Sequence, residues 1–242
     1  MRGLWLAALA AVAVAWPDAP ARAACILGRF GELPVTMVGM SPTVPVKING
    51  ADVRMIADSG AFFSLLTPQA AKRLKLKVTG TPFGPAMVEG LGGVEDAGVA
   101  RADAFTILGF TINNADFLVA SPQLGEAGVD GLLGDNILSY ADVEFDLANG
   151  AIRLFKPKDC ASTVSLAYWA QDGRYSAVSI SPVTPPNFKI MLHVQVNGHD
   201  MRAILDSGAG QSYITRAAAK AAGVSTGDTG VKPLGSGLAA AG

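Results

Sequence analysis

Two stretches of this chain carry the same hydrophobic punctuation. In Pro45-Val46-Lys47-Ile48 apolar and polar positions alternate up to Asn49-Gly50, and a second apolar run, Met55-Ile56-Ala57, ends at Asp58-Ser59-Gly60. In Leu192-His193-Val194-Gln195-Val196 the alternation runs up to Asn197-Gly198, and Ala203-Ile204-Leu205 ends at Asp206-Ser207-Gly208. A period of two predicts strands with one buried face, and Asn-Gly between such runs predicts a tight hairpin turn. The correspondence continues through Ser64-Leu65-Leu66-Thr67 and Ser212-Tyr213-Ile214-Thr215, each followed by a helix-like stretch, over 68–74 and 216–222. Thr67 and Thr215 stand where an N-cap belongs, and Pro68 suits a first helical position. The chain therefore contains an internal duplication, with an Asp-Ser-Gly turn at the same place in each copy.

Between the copies the pattern is almost wholly β. Glu89-Gly90-Leu91-Gly92-Gly93 separates strand-like stretches, 105–119 holds two apolar runs, and 130–139 reads as a buried strand entering a short helix. Val143-Glu144-Phe145-Asp146-Leu147 and Ile152-Arg153-Leu154-Phe155 flank Asn149-Gly150 as a further hairpin. The expected organisation is a signal peptide over 1–23, an N-terminal segment over 24–33, a complete β-rich lobe over 34–157, a connector over 158–187 and a second lobe over 188–242. The connector, with Pro182 and Pro185-Pro186, is expected to carry some strand over 175–180. Far less chain follows Asp206 than follows Asp58 within the first lobe, so the second lobe is expected to be incomplete.

Composition narrows the class without choosing the chemistry. Half of the 242 residues are hydrophobic and 16% are charged, as in a packed globular protein, and the net charge of −1 offers no extended footprint for a phosphate backbone. Nucleic acid is excluded as the expected partner. Arg2, the apolar run Leu4 to Trp16 and Ala21-Arg22-Ala23 form an export signal with cleavage near Ala24. That run, about 13 residues, is shorter than the roughly 20 a membrane-spanning helix needs, and no transmembrane segment is expected in the mature chain. An alternative, acylation at Cys25, lacks the bulky apolar residue such signals carry. Export, to the periplasm or beyond the cell, favours a disulfide between the only two cysteines, Cys25 and Cys160, over two separate thiols.

A carboxylate at a strand-turn, followed by a small hydroxyl residue and glycine, is suited to holding an acid in a fixed, hydrogen-bonded place. If two such turns face each other, both carboxyls cannot ionise easily and the pair shares one proton. One then serves as base and the other as acid, and a water between them attacks a peptide carbonyl, with no metal, cofactor or covalent intermediate. The two histidines, His193 and His199, have no Cys or carboxylate set to complete a metal site. No histidine lies near Ser59 or Ser207 in sequence, and the symmetric motifs favour Asp over Ser as the working residue.

These motifs resemble those of the aspartic proteases of the retropepsin or pepsin type, whose signature is apolar residues, Asp, Ser or Thr, Gly and a small residue, here Ala61 and Ala209. The resemblance implies an all-β acid-protease fold with two homologous lobes and a catalytic pair, Asp58 and Asp206. It implies that Ser59, Gly60, Ser207 and Gly208 shape the loops, and that Leu132, Leu133 and Gly134 lie on the strand fixing the first of them. It further implies that Leu91, Gly92 and Gly93 form the tip of a flap over a peptide or protein substrate, with Leu234-Gly235-Ser236-Gly237 as the second lobe's counterpart. Two departures stand out: the second lobe has no equivalent of Leu132-Leu133-Gly134, and the flap lacks a tyrosine. The alternatives are an exported peptide-binding or scaffolding module of the same fold that does not cut, and a homodimer pairing two copies of Asp58 in place of a monomer with two lobes.

Overall fold

A computed structural model describes residues 25–80, 86–90, 93–121, 128–161, 164–170, 172–182 and 189–232. The expected signal segment, Leu91, Gly92 and Leu234-Gly235-Ser236-Gly237 lie outside the described residues. The chain begins with β1 (Ile26–Pro34), β2 (Thr36–Val38), β3 (Ser41–Ile48) and β4 (Ala51–Ala57). The turn between β3 and β4 places both Asn49 and Gly50 at positive φ, 48° and 80°, as a two-residue hairpin turn requires. After the Asp58 loop come β5 (Leu65–Leu66), α1 (Pro68–Arg73), β6 (Val78–Thr79), β7 (Ala86–Gly90), β8 (Gly93–Ile107) and β9 (Phe110–Val119). Then follow β10 (Gly131–Leu133), α2 (Asp135–Leu138), β11 (Asp142–Asp146) and β12 (Ala151–Lys158). A short turn of 3-10 helix, Leu147–Asn149, closes the β11–β12 hairpin with Gly150 at φ 68°.

The described strands of the first lobe form two sheets, one ordered β1-β12-β11 and the other β2-β3-β4-β10-β5-β9-β8-β6, with β7 paired to β8. Alternate residues of β3, β4, β8 and β9 meet in one core of Val44, Val46, Ile48, Met55, Phe105 and Phe117, joined by Leu66 and Leu133. Phe105 and Phe117 pack edge to face with ring centroids 5.4 Å apart. Residues 26–33, from the segment expected before the lobe, make with Pro34 the edge strand β1, antiparallel to β12 from Ile26↔Lys158 to Pro34↔Ala151. The Cys25–Cys160 disulfide closes that end of the sheet across 135 residues of sequence.

The second copy repeats the local structure. β13 (Met191–Val196) and β14 (His199–Ile204) form an antiparallel hairpin whose turn has Asn197 and Gly198 at φ 51° and 78°. α3 (Arg216–Ala221) follows, with the Thr215 hydroxyl accepting from the Ala218 N–H just as Thr67 accepts from that of Ala70, both at 3.1 Å. The hairpin register sets His193 across from Arg202 and His199 across from Val196, so the two histidines do not oppose each other. The strand expected over 175–180 contributes only an isolated bridge, Ile180 to Leu192.

Burial separates the copies. Ile56 and Ala57 at the end of β4 are buried, whereas their equivalents Ile204 and Leu205 are 44% and 50% exposed. Leu65 and Leu66 are buried, and their equivalents Tyr213 and Ile214 are exposed. The difference follows from the neighbours, because β10 lies against β4 and β5 in the first lobe and β13–β14 forms a two-stranded sheet of its own among the described residues.

Candidate active site

The loop from Asp58 to Ser64 hangs between β4 and β5, and β10 passes between those strands, parallel to β4 and antiparallel to β5. Leu133 donates no side-chain polar group; it fills the core while its carbonyl accepts the Asp58 N–H at 3.0 Å. The following residues stitch down the rest of the loop. The Asp135 N–H donates to Ala61 O at 2.8 Å and the Asn136 N–H to Phe62 O at 3.1 Å. Asn136 Oδ1 accepts from the N–H and the hydroxyl of Ser64, at 2.7 and 2.9 Å, and the Gly134 N–H donates to Ser64 Oγ. A Cβ on Gly134 would stand 2.7 Å from Ala61 O and 2.8 Å from the Phe63 carbonyl carbon, so this backbone approach needs glycine.

The Asp206 loop meets the Asp58 loop in a reciprocal arrangement. The Ser59 N–H donates to Ser207 Oγ at 3.0 Å, and the Ser207 N–H donates to Ser59 Oγ at the same distance. Each hydroxyl then donates across the interface, Ser59 to Leu205 O and Ser207 to Ala57 O, both at 2.8 Å. Each turn thus gives and receives the same pair of bonds. Further contacts between the lobes come from Ser41, whose hydroxyl donates to Gly208 O at 3.3 Å, and from Lys189, whose Nζ lies 4.5 Å from the Phe62 ring centroid.

The carboxylates sit inside this frame. Asp58 Oδ1 accepts from the N–H groups of Gly60 and Ala61, at 2.8 and 3.0 Å, and Asp206 Oδ1 accepts from those of Gly208 and Ala209, both at 2.9 Å. Each carboxylate also packs on the other loop's glycine: a Cβ on Gly60 would lie 2.4 Å from Asp206 Cγ, and one on Gly208 would lie 2.4 Å from Asp58 Cγ. Asp58 is buried, and burial foremost, then the Asp206 charge, push its carboxyl up to about 7. The Gly60 and Ala61 N–H groups pull the other way, and a hydrogen bond shared with Asp206 favours the proton again. On balance these influences favour the protonated form of Asp58.

The structure thus brings together Asp58, Ser59, Gly60, Asp206, Ser207 and Gly208, with Leu132, Leu133 and Gly134 behind the first loop. The stretch expected to form a flap lies at the β7–β8 hairpin, whose last described pair is Gly90↔Gly93. Among the described residues no cluster of three or more metal-ligating side chains occurs, and no helix is long and apolar enough to cross a membrane. Sequence reading gave Ser64, Asn136 and Asp135 no role in the site. The first two are partners 72 residues apart, and a lone Ser or Asn carries no signal for a contact at that range.

The family model described as aspartyl protease matches residues 44–137 and 192–240, more than half of the chain and both Asp-Ser-Gly copies. Among solved structures, the EIAV protease complexed with the inhibitor HBY-793 is 25% identical, with a TM-score of 0.35, covering 41% of this chain and 86% of that one. A retropepsin-like aspartic protease from Rickettsia conorii is 18% identical, with a TM-score of 0.37, covering 55% of this chain and 94% of that one. A comparison with curated proteins gave no match.

Proposed function

This chain belongs to the aspartyl protease family, and on that premise we propose that it is an endopeptidase hydrolysing peptide bonds with the Asp58/Asp206 pair. The observation that carries the reading is the reciprocal serine exchange that holds two carboxyls face to face, Asp58 buried and Asp206 half-buried, each on two backbone N–H groups. In the proposed reaction the pair holds one proton. The ionised carboxylate takes a proton from a water between the two, the oxygen of that water attacks the peptide carbonyl carbon, and the protonated partner hydrogen-bonds the developing oxyanion. Collapse of the tetrahedral species, with the proton passed to the departing amine nitrogen, leaves an acid and an amine and returns the pair to one proton. Burial of Asp58 makes this charge distribution stronger than it would be in water.

The Cys25–Cys160 bridge supports export to an oxidising compartment, periplasmic or extracellular, and the substrate class we propose is peptide or unfolded protein. One observation favours a second reading, a peptide-holding module that does not cut: the Asp206 loop has no strand equivalent to β10 behind it among the described residues. Incubation of the full-length protein with an unstructured peptide between acidic and neutral pH separates the two. Cleavage that is lost in Asp58→Asn and in Asp206→Asn supports the enzyme. Binding without cleavage supports the module, and cleavage surviving Asp206→Asn points to paired copies of Asp58 from two chains.

A further inference from the structure

The segment that braces the Asp58 loop contains a third carboxylate that the proposed reaction leaves without a role. Asp135 opens α2 directly after Gly134 and is 2% exposed. Its Oδ2 is buried with no hydrogen-bond partner among the described residues. An aspartate in a first helical turn is ordinarily an exposed, solvated one. Buried and unsatisfied, the ionised form is far more costly than the neutral acid. Its backbone is tied directly into the site: the Asp135 N–H holds Ala61 O at 2.8 Å, and the Ala61 N–H holds Asp58 Oδ1 at 3.0 Å. The two charges that act on the Asp135 carboxyl are both negative, Asp58 in the turn after β4 and Asp206 in the turn after β14.

We propose that Asp135 is a positioning residue that acts on the Asp58/Asp206 pair through charge. Burial first, then the charges of Asp58 and Asp206, push Asp135 up to about 7, where Asp58 is also pushed. Below that pH Asp135 is a neutral acid and adds nothing to the repulsion. As it ionises, its negative charge makes the pair hold its working proton to higher pH, and the interaction is reciprocal. The inference rests on the Asp58/Asp206 reading only for its effect on activity, because the charge coupling exists whether or not the site cuts peptide.

The test is Asp135→Asn, which keeps the shape and removes the charge, measured in two ways. In the pH profile of kcat/KM, the alkaline limb is expected to move to lower pH by roughly half a unit or more with KM little changed. In urea unfolding, an acid raised on folding contributes stability that is full below its unfolded value, about 4, and declines towards its folded value. The wild type should therefore lose stability from about pH 4 to 7, Asp135→Asn should lose less, and the rescue should shrink in an Asp58→Asn background. A substitution that changes activity and stability equally at every pH, or one whose effect is simply additive with Asp58→Asn, overturns the proposal. If the wild type cleaves nothing, the peptidase reading fails and the unfolding profiles still decide this one. Should Asp135→Asn not fold, carboxyl-carbon NMR titration of wild type and Asp58→Asn replaces it. A resonance titrating near neutral pH besides that of Asp58, and moving down in the variant, is expected; its absence refutes the coupling.

Discussion

Replacing Ser59 by alanine removes two of the four bonds that cross between the loops, the hydroxyl donated to Leu205 O and the acceptor for the Ser207 N–H. Ser207→Ala removes the other two, to Ala57 O and from the Ser59 N–H. A typical net hydrogen bond contributes about 1 kcal/mol, and a buried partner left unsatisfied adds to the loss. Each substitution should then weaken the union of the two loops by about 2 kcal/mol, roughly a 30-fold shift in its equilibrium. The partners orphaned by Ser207→Ala belong to the buried residues Ala57 and Ser59, whereas those orphaned by Ser59→Ala belong to the exposed Leu205 and the half-buried Ser207, which places the larger effect at Ser207. The assay is amide hydrogen exchange at Ser207 and Gly208 read beside kcat/KM. Exchange should accelerate by the same order as the loop equilibrium shifts, and kcat/KM should fall about 100-fold as the carboxyls lose their relative placement. Unchanged exchange at Ser207 and Gly208 with wild-type activity in Ser59→Ala would refute the claim that these hydroxyls hold the site together.

The opposed glycines make a second expectation: Gly60→Ala or Gly208→Ala drives a methyl into the facing carboxylate, which two N–H bonds keep from swinging away, and should abolish more than 99% of activity while circular dichroism stays native. Because Asp58 is pushed up to about 7, the pair keeps its proton below that pH and loses it above. kcat/KM on an unstructured peptide should therefore fall about tenfold per unit on the alkaline side of neutrality. Opening the disulfide by reduction, or by Cys25→Ser with Cys160→Ser, frees a closure of 135 residues. The urea-unfolding free energy should drop by about 2 to 5 kcal/mol on the chain-entropy account, and a drop within error would locate the stability of β1 in its pairing with β12 alone.

What could be read ahead of the structure was whatever depends on neighbours in sequence. The alternation before Asn49-Gly50 and Asn197-Gly198 returns as the β3–β4 and β13–β14 hairpins, with the positive φ angles those residues accommodate. Thr67 and Thr215 cap their helices, and the apolar run ahead of Gly134 is the strand β10. Elements that depend on a distant partner were harder to see. Residues 26–34 contain Gly28, Gly31 and a terminal Pro34 in place of an alternating pattern, and they become β1 because β12 supplies hydrogen bonds, with the register shifting between Arg29 and Gly31. Tyr175 to Ile180 looked extended in sequence, yet only Ile180 bridges to a strand, and Tyr175, Val178 and Ile180 are exposed. Asp135 was legible only as a helix start, since its burial is imposed by how α2 abuts the Asp58 loop.

The duplication therefore repeats local structure without repeating environment, and this decides which loop depends on which. The Asp58 loop is held from behind by Leu133, Gly134, Asp135 and Asn136, and from the front by Ser207. The Asp206 loop has the front contact in full and, from the segment just before β13, Ile190 O, which accepts the Leu205 N–H. Its equivalents of the buried Ile56, Ala57, Leu65 and Leu66 are all exposed, so little apolar burial fixes its position independently. The placement of the second carboxylate then derives from the first lobe, through the Ser59 hydroxyl and the Ser41 contact to Gly208 O. Local opening should accordingly begin at the Asp206 loop and leave the Asp58 loop intact, because the free energy of opening a segment follows the buried contacts it gives up.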